Sequence, residues 1–257
     1  MLPTLFISHG SPYLCLTKHK ASDFLKDLPR HFHKPKYIII ISAHWLTKDL
    51  RILAKQSPSK INDFYGFPKD LYDLEYKAFN DLKKVEEIVN LFTSKNIEIK
   101  KDITREGYDH GVWAPLSLMY KDASIPVIQI SLPLYYETKE LLKIGGVLQE
   151  LRKEALIIGS GTLTHNLKDS QRDINAKIDN SAKIFRDWII EKVENSDIKS
   201  MQEFKTLAPN LLKNHPTLDH FLPLIICLGA SKSKKGEALN SIYMYGNQAM
   251  DTIIFKD

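Results

Sequence analysis

Four short runs of almost unbroken apolar residues punctuate the chain: Thr4–Ser8, Tyr37–Ser42, Pro126–Ser131 and Ala155–Ile158. Each is closed by Gly, Pro or His, and each is too short for a helix. Runs of this kind predict strands buried on both faces, as in a sheet covered by helices. Between them the apolar spacing changes to a helical period over Ala21–Leu28, Leu82–Lys95, Trp113–Met119, Thr138–Lys153, Ala176–Asn195 and Pro216–Leu228. Weaker strand patterns near Arg51–Ala54, Ile97–Lys100, Ser241–Tyr245 and Thr252–Phe255 extend the sheet. No repeat, heptad array or Pro/Gly-rich linker divides the chain. The alternation predicts an α/β fold over residues 1–257, one domain with a central, mostly parallel sheet covered by helices on both faces. The longest nearly apolar stretch, Phe221–Ala230, is interrupted by Pro223 and falls well short of the roughly 20 residues that span a bilayer. The N-terminal stretch has no basic region before its apolar residues, so no secretory signal is read and a cytoplasmic location is expected.

Composition narrows the partners. At 43% hydrophobic and 26% charged residues, the chain has ordinary globular usage. The net charge of +5 invites a nucleic-acid reading, yet only six of the 36 basic residues are Arg. The lysines are interleaved with acids, as in Lys83-Lys84-Val85-Glu86-Glu87, which reads as a solvated surface rather than a groove reader. Neither nucleic acid nor membrane is expected as a partner. Cys15 and Cys227 stand far apart among apolar neighbours and are expected as buried free thiols. Any metal must therefore be held by His and carboxylate.

Candidate chemistry comes from where the nine histidines fall. His9 follows the first strand, His44 the second, and His165 comes a short loop after the Ala155 strand. Ligands of open α/β sheets collect beyond the C-terminal ends of the strands, so three imidazoles at that end point into one crevice. One such His alone would read as structural; the repetition points to a site. His110 and His220 lie in loop or helix-start contexts. Pro216 suits a first helical position, which places His220 in the opening turns of a helix. The positive end of that helix disfavours imidazolium, and a metal requires neutral imidazole. His19, His31 and His33 lie in a Lys-rich segment and read as surface. Ser160, in Gly159-Ser160-Gly161, does not complete the nucleophile-elbow pattern, and the same glycines lack the third Gly and the βαβ context of a dinucleotide site.

Seven stretches, in order along the chain, carry a family resemblance: SHGSP (8–12), ISAHW (41–45), NDFYGFP (62–68), YDHGVWAPL (108–116), IPVIQISL (125–132), GSGTLTHNL (159–167) and HPTLDHFLPL (215–224). The sequence resembles the class III (LigB-type) extradiol ring-cleavage dioxygenases, specifically the 4,5-DOPA extradiol dioxygenase group. The resemblance implies one catalytic domain of this type over residues 1–257, cleaving a small-molecule catechol with O2 at a His-ligated divalent metal. It maps the ligands to His9, His44 and His220, with Fe(II) for dioxygenase activity. Zinc also accepts such ligands, so purified protein can carry zinc, with His165 as a possible fourth ligand. Otherwise His165 is the acid/base residue and His110 a donor to oxygen or to a substrate hydroxyl. Asp109 can fix a histidine tautomer or border the substrate, and Tyr65, Trp45, Phe64, Phe67 and Trp113 can wall the ring. Departures from the family pattern at Ser8, Tyr13 and residues 77–80 miss the proposed ligands, and those at Tyr13 and 77–80 bear on the substrate instead. A zinc-dependent hydrolase or a non-catalytic binding protein on the same fold are the alternatives, and the retained histidines speak against the second. The oligomeric state is not readable from the sequence.

Overall fold

The computed structural model describes residues 1–257. Its main sheet has eight strands: β1 (Thr4–Ser8), β2 (Tyr37–Thr47), β3 (Arg51–Leu53), β4 (Lys100–Asp102), β5 (Val127–Pro133), β6 (Ala155–Gly161), β7 (Glu237–Ala238) and β8 (Thr252–Phe255), in spatial order β4-β3-β5-β2-β6-β1-β8-β7. The middle four, β5, β2, β6 and β1, run parallel, with Ile39 of β2 opposite both Ile128 and Ile157. Antiparallel pairings of β3 with β5 and of β8 with β1 flank this block.

Successive residues of a strand face opposite sides of the sheet, which explains why these strands read as continuous apolar runs. Ile39 and Ile41 enter one core with Ile128, Ile130 and Ile157, while Ile38 and Ile40 enter the other with Leu5, Ile7 and Ile158. Helices α4 (Thr138–Leu148), α5 (Asn180–Glu194) and α6 (Leu222–Gly229) cover the first face. Helices α1 (Lys20–Asp27) and α3 (His110–Met119) cover the second, and α2 (Leu82–Ser94) packs Val85, Ile88 and Phe92 into the first core. Each such buried aliphatic side chain contributes about 1.5–3 kcal/mol relative to exposure.

The elements differ from the sequence pattern at places that matter for the site. Near the C-terminal end of β2 the register with β5 slips: Ile41 pairs with Ile130, yet Leu46 pairs with Leu132. The residues between leave the ladder with β5, although Ser42 still pairs with Ser160 of β6, and His44 sits within this bulge. Residues 215–221 form turns rather than the expected first turns of a helix, and α6 begins only at Leu222. Pro216 forbids the helical region to the residue before it, and His215 accordingly lies at φ −134°, ψ 84°. Pro223 instead occupies the first turn of α6, where its missing N–H costs nothing. The Ser241–Tyr245 pattern yields only Tyr243–Met244, paired with Gln248–Ala249 outside the main sheet. Cys227 is buried, whereas Cys15 is only half-buried and donates its thiol to the Pro12 carbonyl.

Candidate metal centre

Three parallel strands deliver the first pieces of the site to one end of the sheet. His9 follows β1, and its N–H donates to the Gly161 carbonyl at 2.8 Å, continuing the β1–β6 ladder. Gly10 then turns the chain at φ +61°, where a Cβ would lie 2.6 Å from Met250 Cε. His44 sits in the β2 bulge, its N–H donating to Ser42 Oγ at 3.1 Å. His165 lies in the loop after β6, held by its N–H to the Asn214 carbonyl at 2.9 Å. His220 stands in the turn before α6. His110 opens α3, and its N–H donates to Asp63 Oδ1 at 3.0 Å.

These five rings meet. The Nε2 atoms of His9 and His44 are 3.1 Å apart. The His220 ring centre lies 5.3 Å from that of His9 and 4.9 Å from that of His44, and His165 stacks on His220 at 3.6 Å and 7°. His110 is 3.9 Å from His44, and one nitrogen from each of His9, His44 and His110 falls within 4.8 Å of the others. The outer nitrogens are anchored. His220 Nδ1 donates to Asp219 Oδ2 at 2.5 Å, His110 Nδ1 bonds both oxygens of Asp63 at 3.0 Å, His9 Nδ1 meets Ser160 Oγ at 2.9 Å, and His44 Nδ1 is 3.4 Å from Asp63 Oδ2. A partner on the outer nitrogen is what orients a metal-binding imidazole.

Electrostatics agree with a ligand role. Burial, reinforced by the charge each ring would share with its neighbours, pushes His9 well below the usual imidazole range and His44 down to about 4. Burial likewise takes His220 down to about 3 against the opposing pull of Asp219, and it lowers His165 too. Asp219, despite its own burial, is held well below the carboxylate range by the hydrogen bond and charge of His220. Burial thus favours the neutral form of His9, His44 and His220, the form with a lone pair to give. Two nitrogens each about 2.1 Å from one ion, at a right angle, lie about 3.0 Å apart, which the His9–His44 spacing matches. Asp63 and Asp219 stand behind the imidazoles and balance a divalent charge that the rings alone leave uncompensated. The donor set fits a divalent transition metal.

Over the histidines opens a cavity of about 280 Å³, with His44, His110, His165 and His220 as its floor, Phe64 and Phe67 on one wall, and Leu167 and Gln248 among the other lining residues. A cavity of about 150 Å³ already holds benzene, so a substituted ring fits here. Three larger hollows, two of about 510 Å³ and one of about 360 Å³, have lysines in their walls and contain none of these five histidines.

Some expected neighbours lie outside the cavity. Tyr65 is 92% exposed at the tip of the strap whose Phe64 and Phe67 turn inward. Trp45 is buried in the core under the Arg105 guanidinium, 4.7 Å from its ring. Trp113 is fully buried and donates Nε1–H to the Ile61 carbonyl, behind Phe64. Asp109 is also buried and hydrogen-bonds no histidine ring: it accepts from Ser42 Oγ at 2.6 Å, Gln129 Nε2 at 2.6 Å and Arg105 Nη2 at 2.7 Å. It thus braces Ser42, and through it the His44 backbone, while the carboxylate that serves His110 is Asp63. The pattern reading did not single out Asp63, Asp219, Leu167 or Gln248. Adjacency of Asp219 to His220, and Asp63 heading the Phe64–Phe67 strap, were the available signals; Gln248 had none.

Comparison with known proteins agrees with this geometry. A family model described as the catalytic LigB subunit of aromatic ring-opening dioxygenase matches residues 3–253. The chain is 34% identical over 238 residues to the 4,5-DOPA dioxygenase extradiol of Mirabilis jalapa, covering 90% of this chain and 87% of that one. It is 33% identical over 243 residues to that of Beta vulgaris (93% and 90%), and 30% identical over 238 residues to that of Escherichia coli K12 (89% and 85%). A solved structure of an uncharacterized E. coli K12 protein superposes with a TM-score of 0.81 over the whole of both chains at 23% identity, which speaks for the α/β fold. With buried, neutral imidazoles gathered at the strand ends and a family match over nearly the whole chain, this protein belongs to the LigB family of aromatic ring-opening dioxygenases and is a non-haem, metal-dependent extradiol dioxygenase.

Proposed function

We propose that the enzyme cleaves a substituted, DOPA-like catechol with O2, holding Fe(II) through His9, His44 and His220. The observation that carries this reading is that the three rings come together from different segments and have their outer nitrogens directed at Ser160, Asp63 and Asp219. Bound Fe(II) would supply a chelating centre for two vicinal hydroxyls and a path for electrons to dioxygen. The protein's own groups do the rest. His165, stacked on His220 at the cavity floor, takes a catechol proton and later returns it. His110, with Nδ1 tied to Asp63, presents Nε2 to the cavity as the second proton-handling group. Phe64 and Phe67 bracket the aromatic ring and keep water off it.

The tighter grouping of His9, His44 and His110 favours a second ligand set in which His110 replaces His220. Metal content of His110→Ala and His220→Ala separates the two sets, because only the true ligand's variant loses the ion. The function itself is tested by loading the protein with Fe(II) anaerobically, adding catechols, and admitting oxygen. A yellow ring-fission product that requires both iron and oxygen is expected, with substituted catechols turned over faster than catechol itself. Ester hydrolysis with zinc and no catechol cleavage with iron would overturn the proposal.

A further inference from the structure

The buried Gly159-Ser160-Gly161 end of β6 is not accounted for by the chemistry above. Ser160 is fully buried and does not line the cavity, so it cannot act as a nucleophile on anything bound there. Its surroundings are unusually close. A Cβ at Gly161 would lie 2.0 Å from the His220 carbonyl oxygen, and one at Gly159 would lie 2.6 Å from the Pro223 carbonyl oxygen. Glycines on both sides thus let β6 press against the segment that carries His220. On its other side Ser160 reaches the start of α3, where Gly111 leaves no room for a side chain either: a Cβ there would lie 2.3 Å from Ser42 Oγ.

A serine hydroxyl has one proton. Here it is committed, because Oγ donates to the Gly111 carbonyl at 2.5 Å, a group that can only accept. The 2.9 Å contact between Ser160 Oγ and His9 Nδ1 must then run the other way, with the ring donating. We propose that Ser160 is a positioning residue that fixes the proton of His9 on Nδ1, leaving Nε2 bare before any metal arrives. This rests on the reading that His9 and His44 ligate the metal, and it has a consequence for His44. Facing a bare His9 Nε2 at 3.1 Å, His44 Nε2 must carry the proton in metal-free protein, since two lone pairs at that distance repel. Metal uptake therefore moves the His44 proton to Nδ1, on the side of Asp63 Oδ2. One ligand is preset and the other changes tautomer.

The test uses the whole protein and needs no variant in its first arm. Long-range proton–nitrogen correlation spectra of the metal-free protein should show His9 protonated on Nδ1 and His44 on Nε2; with zinc, both should carry the proton on Nδ1. His9 protonated on Nε2 in the metal-free protein overturns the proposal. In the second arm, Ser160→Ala should weaken zinc binding about 10- to 100-fold, the usual cost of losing an outer partner of a metal-bound His, read by competition with a chromophoric chelator. Ser160→Thr, which keeps the hydroxyl, should recover most of that loss. Zinc held as tightly by Ser160→Ala as by the wild type would overturn the proposal. If the wild type takes up no zinc, or His9→Ala keeps it, the ligand reading fails, while the His9 tautomer in the metal-free protein still decides the role of Ser160.

Discussion

Two buried polar clusters sit at opposite ends of the same sheet, and they differ in what they leave unspent. At the N-terminal end of the parallel strands, Arg152 is fully buried beside the chain termini. Its guanidinium donates to the carbonyls of Leu2 at 2.8 Å, Ala230 at 3.0 Å and Phe255 at 3.1 Å, and to the Asp257 carboxylate. Every nitrogen has an acceptor within the chain. At the C-terminal end, the outward nitrogens of His9, His44, His110 and His220 have partners, whereas those of His110 and His220 that face the cavity have none in the protein. Saturated polarity is architecture. Polarity left open at a cavity is an invitation to a ligand.

Emptying the open cluster should have the largest effect. His9→Ala or His44→Ala is expected to strip the metal and abolish oxygen-dependent cleavage, measured as metal content and turnover on the same samples, with circular dichroism unchanged. Full metal in either variant would undo the contrast at its strongest point. His165→Ala should keep its metal and lose about 10²- to 10⁴-fold in kcat, the usual share of a positioned proton transfer. Loss of metal as complete as in His9→Ala would make His165 a ligand and pass the proton to His110.

The closed cluster predicts the opposite signature. Arg152→Met removes the charge opposite Asp257 and the donors to three buried carbonyls, and breaking a buried pair typically costs about 3–5 kcal/mol. For a domain of this size that lowers the melting temperature by about 10 °C, with metal content and kcat unchanged below the transition. A change in metal affinity without loss of stability would show that the two ends are coupled.

A further effect should appear with pH in metal-free protein. His44, His215 and His220 are held near 4, 4 and 3 by burial, against about 6.5 in an unfolded chain. Below pH 6.5 the unfolded chain takes up protons that the native rings refuse. Stability is therefore complete above pH 6.5 and declines as pH falls toward 4. Thermal midpoints should drop by several degrees between pH 7 and pH 5; a flat profile would show that the rings reorient to become hydrated.

The core strands were legible in sequence because burial on both faces leaves an unbroken apolar run, as at Ile38–Ile41. The histidines at the strand ends were legible because polar residues there stand out against those runs. What escaped was anything decided by local irregularity. The slip between Ile41 and Leu46 has no apolar periodicity to announce it, yet it aims His44. The strap from Asp63 to Phe67 turns at Gly66, φ +80°, so Phe64 and Phe67 face inward while Tyr65 faces water. Three aromatics in four positions give no clue to that division. Asp109 lies beside His110 in sequence but belongs to Arg105, Ser42 and Gln129 in space, and the carboxylate for His110 comes from 47 residues earlier.

The place of β1 in the sheet bears on how the site is assembled. Its two neighbours are β6, residues 155–161, and β8, residues 252–255. During synthesis β1 appears before both of its partners: one edge waits for residues 155–161, and the other waits for residues 252–255. Contacts this distant in sequence form slowly. His9, placed by β1, is thus seated only after strands far along the chain have closed around it, and under the proposed ligand set metal capture follows that closure.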